Sequence, residues 1–495
     1  MGIIQKQGIS NSILILIGAM IGALNVLVLY PLILPEEYFG LTSVLVQVSF
    51  IASQFGLLGT NIAIVKYWNT LKNNFILFRF LFTKTVLFSF VVLFILFFWK
   101  SSIIEEYQDS ASLFTENYDY IYLMFLFGIV VNFFASVSQA NLKTSFPIFL
   151  KQIGLRIYQT IILIAFYYEA INLNSFLLLY VLGYGFEAIV VLYYVILQKT
   201  IKKPKENSII EKSEKKRLFK YSIVNFLTGF SGSIVTRLDV LMVGALMINP
   251  LIENYGLKAA AVYTVAVYVT NILEMPSRGI FSISTPIISR LWNENNLKEI
   301  GVIYKKVSIN LTIVTTLMFA LLWVNIDDLL FFMPKYQDAK WIILILGLSK
   351  IINMSLGVNN IIVVGSKYYR VGTYTMLMLI FIAFGFNYMF IPKYGLEGAA
   401  LGSLLSIVIF NLVTFLFLYT KFKLQPFTWN TLKTFVLGGV IFYAFTFVNI
   451  EIKLLSIVVK SVAMGLIYLV LIYKLKLSLD INNLLDKIVL NRLRK

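Results

Sequence analysis

The sequence predicts an all-α, polytopic membrane protein, and three observations carry that prediction. Hydrophobic residues make up 59% of the 495 residues and charged residues only 13%, which is far from the composition of soluble globular domains. Fourteen segments are apolar over roughly 20 residues, the length that a helix needs to cross a bilayer. The connections between them alternate between many and few Lys and Arg residues, as loops on two sides of a membrane do.

The first six predicted spans form an N-terminal lobe, residues 1–197. Its first apolar run lacks the small-residue cleavage site of a signal peptide, so we expect it to be retained as the first helix. Each later span lies between polar or charged connections. The six spans cover residues 12–30, 39–65, 76–99, 120–140, 147–168 and 175–197.

The longest polar break, residues 198–219, predicts a basic cytoplasmic linker, because Pro204, Asn207 and Ser208 stand there among mixed charges. A second set of six spans follows within residues 220–425, and a final helix pair with a basic tail occupies residues 426–495. These eight spans cover residues 220–248, 259–289, 304–325, 340–364, 370–391, 396–420, 432–448 and 453–473.

An internal repeat relates the two sets of six. Residues 39–68 align without a gap to residues 263–292, so that Lys66 matches Arg290 and Trp68 matches Trp292. Both segments run inward, which makes the repeat parallel, of the kind related by an axis along the membrane normal. The sequence therefore predicts two six-helix lobes as a parallel pseudo-repeat around a central cavity, with the last helix pair added.

The basic residues fix the predicted orientation. With the N-terminus inside, 30 of the 42 Lys and Arg residues lie in cytoplasmic segments and 6 in outer connections, in accordance with the positive-inside rule. Both termini are therefore predicted to be cytoplasmic. The net charge of +18 does not indicate nucleic-acid binding, because the basic residues line the membrane side that meets anionic lipid.

Composition and loop length argue against an enzyme. The chain has no Cys and no His, which removes thiolate chemistry, disulfides and the commonest metal ligand. No phosphate-binding loop or nucleophile elbow appears, and no connection exceeds about 25 residues. We expect no catalytic residue, no metal and no cofactor, and a membrane polysaccharide polymerase is disfavoured because it needs a sizeable outer loop.

Charged residues inside the spans are the best candidates for function, since a charge at the bilayer centre costs about 2.5–3.5 kcal/mol and usually faces a bundle interior or a wet cavity. Six are basic and three acidic. This excess of buried cations indicates a cavity for an anion, most simply a phosphate or diphosphate. The nine residues, all of which lie away from the ends of the spans, are Lys84, Arg156, Glu187, Arg237, Asp239, Glu274, Arg278, Lys350 and Lys460.

Two of these charges form a pair by spacing. Glu274 and Arg278 are four residues apart in the eighth span, with Pro276 between them. Such residues share one helix face, and the proline predicts a kink. The pair either stabilises the kinked helix as an internal salt bridge or lends its cation to an anionic substrate.

The other charges have different expected partners. Arg237 and Asp239 are two residues apart and point to different sides of the seventh span. Glu187 either bonds across helices, with Arg156 as the candidate partner, or carries a coupling proton. Lys350 stands alone in the tenth span. Neutral groups on the first two spans that could meet sugar hydroxyls are Asn25, Gln47, Gln54 and Asn61.

Four stretches resemble the Wzx-type flippases, the polysaccharide transporter family of the multidrug/oligosaccharidyl-lipid/polysaccharide (MOP) exporter superfamily, over nearly the whole chain. They are the opening QGISNSILILIGAMIGALNVLVLYPLILPEEYFG, VTRLDVLMVGALM of the seventh span, AVYTVAVYVTNILEMPSRGIFSISTPIISRLW of the eighth, and NYMFIPKYGLEGAALGSLLS. The resemblance implies two lobes around a cationic cavity, a helix pair outside it, and residence in the bacterial cytoplasmic membrane.

The resemblance also implies a function: alternating-access transfer of an undecaprenyl-diphosphate-linked oligosaccharide, such as an O-antigen or capsule repeat unit, between leaflets. Partners implied are the lipid-linked oligosaccharide and membrane lipid, with a coupling ion (H⁺ or Na⁺) and glycan-assembly proteins as further candidates. Residues assigned to the diphosphate or sugar are Arg156, Arg237, Arg278, Lys350 and Asn25, and those assigned as counter-ions or coupling groups are Glu274, Asp239 and Glu187.

Two transport alternatives stay open. One is an ion-coupled antiporter of the multidrug (MATE) branch, for which an acid-rich cavity is expected. The other is a flippase for a lipid-linked peptidoglycan precursor, which also has fourteen helices. The arginine typical of that family's first helix is missing here, because Asn25 stands in the comparable region.

Overall fold

The computed structural model describes the backbone of residues 3–69, 74–199, 201, 211–448 and 450–493. Within these residues the chain is helical and has no strand, which confirms the predicted all-α membrane fold. Part of the predicted linker 198–219, namely residues 200 and 202–210, lies outside the described residues. The chain divides into two compact units, Met1–Thr264 and Val265–Lys495.

The first unit is built from helices that follow one another with short connections. Helix α8 packs against α3 and α11, and α12 packs against α3 and α4. π-Helical turns at Asn25–Leu29 and Leu150–Gly154 interrupt the first and fifth predicted spans. The helices are α1 (Ile3–Leu24), α2 (Tyr30–Ile33), α3 (Glu36–Leu57), α4 (Thr60–Tyr67), α5 (Asn74–Phe98), α6 (Lys100–Glu105), α7 (Ala111–Asn117), α8 (Asp119–Ala140), α9 (Ser145–Phe149), α10 (Leu155–Tyr167), α11 (Leu173–Leu197), α12 (Lys212–Leu246) and α13 (Tyr255–Asn271), and the unit boundary falls within α13.

The second unit continues after a 3₁₀ turn at Ile272–Glu274. Its helix α15 is central, because α14, α17, α20 and α21 all pack against it. The helices are α14 (Met275–Asn293), α15 (Leu297–Val324), α16 (Ile326–Phe331), α17 (Ala339–Ser355), α18 (Asn359–Gly365), α19 (Tyr369–Phe422), α20 (Trp429–Thr446), α21 (Lys453–Lys474) and α22 (Leu479–Leu493).

The 54-residue helix α19 contains two predicted spans. A straight helix of this length would measure about 80 Å at 1.5 Å per residue, far more than one bilayer crossing requires, but the segment is two helices joined at a kink. The backbone leaves the helical region at Gly395, where φ is 60° and ψ is −136°, a conformation that only glycine adopts readily. This break lies in the predicted Ile-Pro-Lys-Tyr-Gly turn between segments 370–391 and 396–420.

Ten helices in the described residues are long and apolar enough to cross a membrane, or eleven if the pair α17 and α18, bent by 48°, is one span. The protein is therefore a multi-pass membrane protein. Every one of the fourteen predicted segments falls on helix, but the count of fourteen is not confirmed. Segment 220–248 lies on α12, where some side chains are outside the described part, and segment 432–448 lies on the short helix α20 with its polar first turn.

The predicted C-terminal helix pair is anchored on α15. An apolar cluster joins Ile309 and Ile313 of α15 to Met464 and Tyr468 of α21, and the Tyr468 hydroxyl donates to the Ile313 carbonyl oxygen at 3.0 Å. Burial of such side chains stabilises by about 1.5–3 kcal/mol each when water is the alternative. Within a membrane, close packing and the buried hydrogen bond are what hold the pair in place.

Candidate functional site

The first unit contains a cavity of about 280 Å³ whose charged lining is mainly basic. Lys151 stands in the turn Leu150–Gly154, Arg156 on α10 and Arg237 on α12, while Glu187 on α11 is the one acidic residue among the described residues of the lining. Helices α3 and α8 contribute uncharged side chains. The neutral polar groups of the lining are Ser49, Ser53, Asn132, Gln152, Gln159 and Tyr184.

Arg156 lines this cavity and also contacts α1. Its guanidinium Nη1 donates to the carbonyl oxygen of Gly18. A Cβ on Gly18 would lie 2.5 Å from the carbonyl oxygen of Gln152, so glycine is required for this approach of the two chain segments. The arginine therefore satisfies one donor on backbone and has further N–H groups for other partners.

Asn25, the first residue of the π-helical turn that follows α1, bonds to α10 and is not part of the cavity lining. Its Nδ2 donates to the Arg156 carbonyl oxygen at 3.0 Å, and its Oδ1 accepts from the Thr160 hydroxyl at 2.8 Å. The side chain is buried, and both ends of its amide are occupied. Asn25, predicted to bind sugar, therefore lies in a contact between helices, where it bonds to the backbone of Arg156.

Arg237 and Asp239 point to different partners, as their spacing predicts. The Arg237 guanidinium donates to Gln47 Oε1 and lies 3.6 Å from the ring centroid of Phe50, which is a favourable cation–π distance. Asp239 is buried and accepts from the Tyr263 hydroxyl at 3.1 Å. Only the arginine of the two lines the cavity.

Glu187 is the unusual residue of the lining. Its side chain is buried, and Oε1 has no hydrogen-bond partner among the described residues. The expected cross-helix partner Arg156 lines the same cavity, but no ion pair joins the two side chains, both of which are described. A buried carboxylate oxygen without a donor is expensive, so this position is not explained by packing alone.

The second unit places two predicted residues in direct contact. Lys350 of α17 lies 3.2 Å from the Glu274 carboxylate (Nζ to Oε2) and donates to Asn271 Oδ1 at 3.1 Å. The Lys350 side chain is about one-tenth exposed and that of Glu274 about one-quarter. The lone lysine of the tenth span is therefore neutralised by the acid of the eighth.

A chain of amides extends this ion pair across the second unit. Asn353 Nδ2 donates to the other carboxylate oxygen of Glu274, Oε1, at 3.3 Å. Asn353 Oδ1 accepts from Asn411 Nδ2 at 3.1 Å. Asn411 in turn accepts from Asn359 Nδ2 at 2.8 Å. The network connects the broken span containing Glu274 with α17, α18 and the second half of α19.

The expected pairing of Glu274 with Arg278 is wrong. The helix is interrupted at Ile272–Glu274 and restarts at Met275, because Pro276 has no N–H to donate to the carbonyl oxygen of residue 272. The break removes the regular four-residue spacing that would align the two side chains. Arg278 is exposed on α14, and Glu274 bonds to Lys350 instead.

A third charged cluster lies in the connection after α15. Asp328 accepts from the Ser456 hydroxyl at 2.6 Å and is paired with Lys453 at 3.0 Å and Lys460 at 3.2 Å. Burial alone would raise the pKa of Asp328, but the hydrogen bonds from Ser456, Lys453 and Lys460 outweigh it and hold the pKa below its usual value. The cluster ties α16 to α21 and accounts for the intramembrane Lys460.

Two features of these sites cannot be predicted from the sequence. Lys151 is one of the 30 basic residues predicted to be cytoplasmic, although it lies five residues before Arg156 and lines the cavity. The only sequence feature that marks Asn353 and Asn411 is that they are amides in apolar spans. Such residues usually bond between helices, which is the role that they have here. In the described residues no group of His, Cys, Asp and Glu is arranged to hold a metal ion.

Comparisons with known proteins agree with this architecture. The family model described as "Polysaccharide biosynthesis protein" matches residues 4–292, and the MatE model matches residues 233–392. No curated protein matches the chain.

Solved structures show the same fold at low sequence identity. The lipid II flippase MurJ in an inward closed conformation is 16% identical with a TM-score of 0.69, over 94% of this chain and 99% of that one. An inward-facing multidrug resistance MATE family transporter of the MOP superfamily is 13% identical with a TM-score of 0.56, over 83% and 98%. A MATE protein in complex with MaL6 is 13% identical with a TM-score of 0.54, over 84% and 95%. These are transporters and a flippase, not enzymes.

Proposed function

The chain belongs to the polysaccharide biosynthesis protein family, and on that premise we propose that it is a flippase for an undecaprenyl-diphosphate-linked oligosaccharide. The substrate would be an O-antigen or capsule repeat unit, moved from the inner to the outer leaflet of a bacterial cytoplasmic membrane by alternating access. The predicted halves, 1–197 and 220–425, would rock about the segment 198–219 with both termini in the cytoplasm.

The cation excess of the first-unit cavity is the observation that carries this proposal. Lys151, Arg156 and Arg237 are opposed in the lining by the single carboxylate of Glu187. Such an excess of positive charge in a membrane protein is stabilised by an anion, and the guanidinium groups can bind phosphate oxygens through several N–H donors. A diphosphate that links lipid to sugar has the matching charge.

The neutral polar lining fits the sugar that follows the diphosphate. Asn132, Gln152 and Gln159 offer amides that can both donate to and accept from hydroxyl groups, and Tyr184 adds a hydroxyl. Gln159 donates to Tyr184 at 3.4 Å, which orients its amide towards the tyrosine hydroxyl. We propose these residues, in place of Asn25, as the sugar contacts.

In the second unit, Lys350 and Glu274 form an ion pair that would open when the substrate phosphate binds Lys350. The Lys350 Nζ lies 3.2 Å from the Glu274 carboxylate, and a phosphate that reaches this pair would compete with Glu274 for Lys350. Arg278, which is exposed on α14, is a further candidate for the diphosphate because its guanidinium is not held by Glu274.

An ion-coupled antiporter of the MATE type is the second candidate, favoured by the MatE match over residues 233–392. Drug antiport predicts efflux of small cations, for which the basic first-unit cavity is poorly suited. Transfer of a peptidoglycan precursor is the third, suggested by the likeness to the lipid II flippase. Competition between lipid II and a lipid-linked oligosaccharide in vesicles separates these substrates.

The test uses vesicles containing the purified protein and a fluorescent polyprenyl-diphosphate-linked sugar, with transfer followed by quenching from outside. The double variant R156A/R237A is expected to lower the transfer rate at least tenfold, because two of three cavity cations are lost. K84A is the matched control: Lys84 is also a span cation but is not part of the cavity lining, and its Nζ lies 5.8 Å from the Phe219 ring.

Equal membrane abundance of all variants, measured by immunoblot, is required for the comparison. Wild-type transfer by R156A/R237A, or equal loss in K84A and the double variant, would contradict the proposed cavity. Normal surface glycan in cells that carry only R278A would remove Arg278 from the diphosphate site.

A further inference from the structure

We propose that Glu187 is a proton-binding site linked to the anion in the same cavity, so that substrate binding takes up a proton. This inference rests on the proposed function and adds one proton to its substrate-bound state. Glu187 lines the cavity together with all three cations. Its buried Oε1 accepts no hydrogen bond from any described residue, which leaves this oxygen available for a proton.

Packing alone does not account for this carboxyl. Arg156, the partner that the sequence predicts for a structural salt bridge, donates to the carbonyl oxygen of Gly18. Arg237 donates to Gln47 and stacks on Phe50. In the second unit, by contrast, both oxygens of Glu274 are engaged, by Lys350 and Asn353. The two intramembrane glutamates therefore differ: one is bonded and the other is left open to the cavity.

The groups that face Glu187 determine the sign of the coupling. Lys151 and Arg156 come from the fifth predicted span and Arg237 from α12, while Tyr184 lies one turn away on the same helix, α11. Helices α3 and α8 present only uncharged side chains to the cavity. An ionised Glu187 offsets one of three cations in the empty cavity, whereas a diphosphate brings a second and third negative charge into the same small space.

Repulsion between the diphosphate and an ionised Glu187 is relieved when the carboxyl takes a proton. By linkage, a proton that strengthens anion binding is itself bound more strongly once the anion is present, by the same factor. Two unit charges about 6 Å apart at an effective dielectric constant of about 20 interact strongly enough to change a binding constant by roughly 10- to 100-fold. The sign of this effect does not depend on the value of the Glu187 pKa.

The probe must not titrate in the same range. Phosphate monoesters have a second pKa near 6, so a short-chain isoprenyl diphosphate-linked N-acetylglucosamine is used, a diester whose diphosphate stays fully ionised. Its affinity for the purified full-length protein is measured by calorimetry between pH 5.5 and pH 8.5. Repeating each titration in two buffers of different ionisation enthalpy gives the number of protons taken up.

For the wild-type protein we expect at least a tenfold weaker affinity at pH 8.5 than at pH 5.5, and an uptake of up to one proton per bound probe. Glu187→Gln should bind with nearly pH-independent affinity and take up no proton through this site. Glu105→Gln, which removes an exposed carboxylate from an outer connection, should behave as wild type.

Wild-type affinity that does not change with pH, together with zero proton uptake, overturns the proposal without any variant. A Glu187→Gln protein that keeps the wild-type pH slope overturns it as well. Absence of probe binding at every pH in the wild type refutes the proposed function itself, and the inference falls with it. Probe binding that R156A/R237A loses but that shows no proton linkage leaves the flippase proposal standing and rejects only the role of Glu187.

Discussion

At the scale of single residues, Asp328 shows how two lysines are held beside a membrane helix. The carboxylate is buried and its two oxygens meet Lys453 and Lys460, while Ser456 donates a third bond. Removing the acid would leave one nearly buried ammonium group without its counter-ion. That is the situation in which breaking an ion pair is most destabilising.

We therefore predict that Asp328→Asn lowers the free energy of unfolding by about 2–4 kcal/mol at pH 7. The effect should depend on pH with a definite sign. Because the folded pKa of Asp328 is held below its usual value, its stabilisation is fully present above the unfolded pKa of about 3.9 and is lost as pH falls through the folded pKa. Denaturant unfolding in detergent micelles at pH 7 and at pH 3–4 measures both parts.

Asp338→Asn provides the control, since Asp338 is an exposed carboxylate in the same connection and its loss should change stability by less than about 0.5 kcal/mol. A difference between wild type and Asp328→Asn that persists unchanged to pH 3 would contradict the linkage argument. Equal effects of the two substitutions would contradict the role of the cluster.

The sequence identifies most of the charged residues of the candidate site, but it identifies only some of the residues that they contact. Arg156, Arg237 and Glu187 were identified as charges that have to face a cavity, and the structure brings them to one. Lys350 and Glu274 were also identified, but their contact joins residues 76 positions apart, a relation that spacing along one helix cannot reveal. Asn25 was assigned to sugar because an amide in an apolar helix gives no sign of whether it meets ligand or backbone.

At the scale of elements, the turn inside α19 depends on one backbone conformation. Gly395 has φ of 60° and ψ of −136°, a region essentially restricted to glycine. The turn lets the second half of α19 fold back, so that Gly398 approaches the carbonyl of Phe390 and Gly402 approaches Asn387. A side chain at 395 would have to be accommodated by distorting this hairpin.

We predict that Gly395→Ala destabilises the protein by about 1–3 kcal/mol and lowers its yield in the membrane. The matched control is Gly385→Ala in the first half of the same helix, where an added Cβ meets no atom within 4 Å. Alanine is the better helix former, so this variant should be neutral or slightly more stable. Thermal unfolding of both purified variants tests the pair, and equal melting temperatures would reject the argument.

Element positions were predictable because long apolar runs and proline are strong local signals. The break near Pro276 was predicted, and the structure has a 3₁₀ turn at Ile272–Glu274 followed by the start of α14. Its consequence was not: the expected face shared by Glu274 and Arg278 assumed an unbroken helix. Similarly, the π-helical turn Leu150–Gly154, which precedes Arg156 and holds Lys151, has no signature in the order of polar and apolar residues.

At the scale of the whole molecule, orientation is the property on which every functional statement depends. The proposed direction of transfer, from the inner to the outer leaflet, assumes that the basic connections are cytoplasmic. The predicted split is 30 Lys and Arg residues inside to 6 outside. A missed span in mid-chain would reverse every later connection and destroy that asymmetry. The predicted topology is therefore testable connection by connection.

The absence of cysteine makes this test direct, because the wild-type chain has no thiol and each single-cysteine variant reports one position. We predict that Glu105→Cys and Glu253→Cys react with a membrane-impermeant maleimide on intact spheroplasts, since both are exposed residues in predicted outer connections. Glu299→Cys, exposed near the start of α15 in a predicted inner connection, should react only after the membrane is opened. Labelling at Glu105 and protection at Glu253 would mean an odd number of spans between them, and the order of the two lobes in the membrane would then have to be redrawn. Full protection of both outer positions with labelling of Glu299 would invert the protein and reverse the direction of transport.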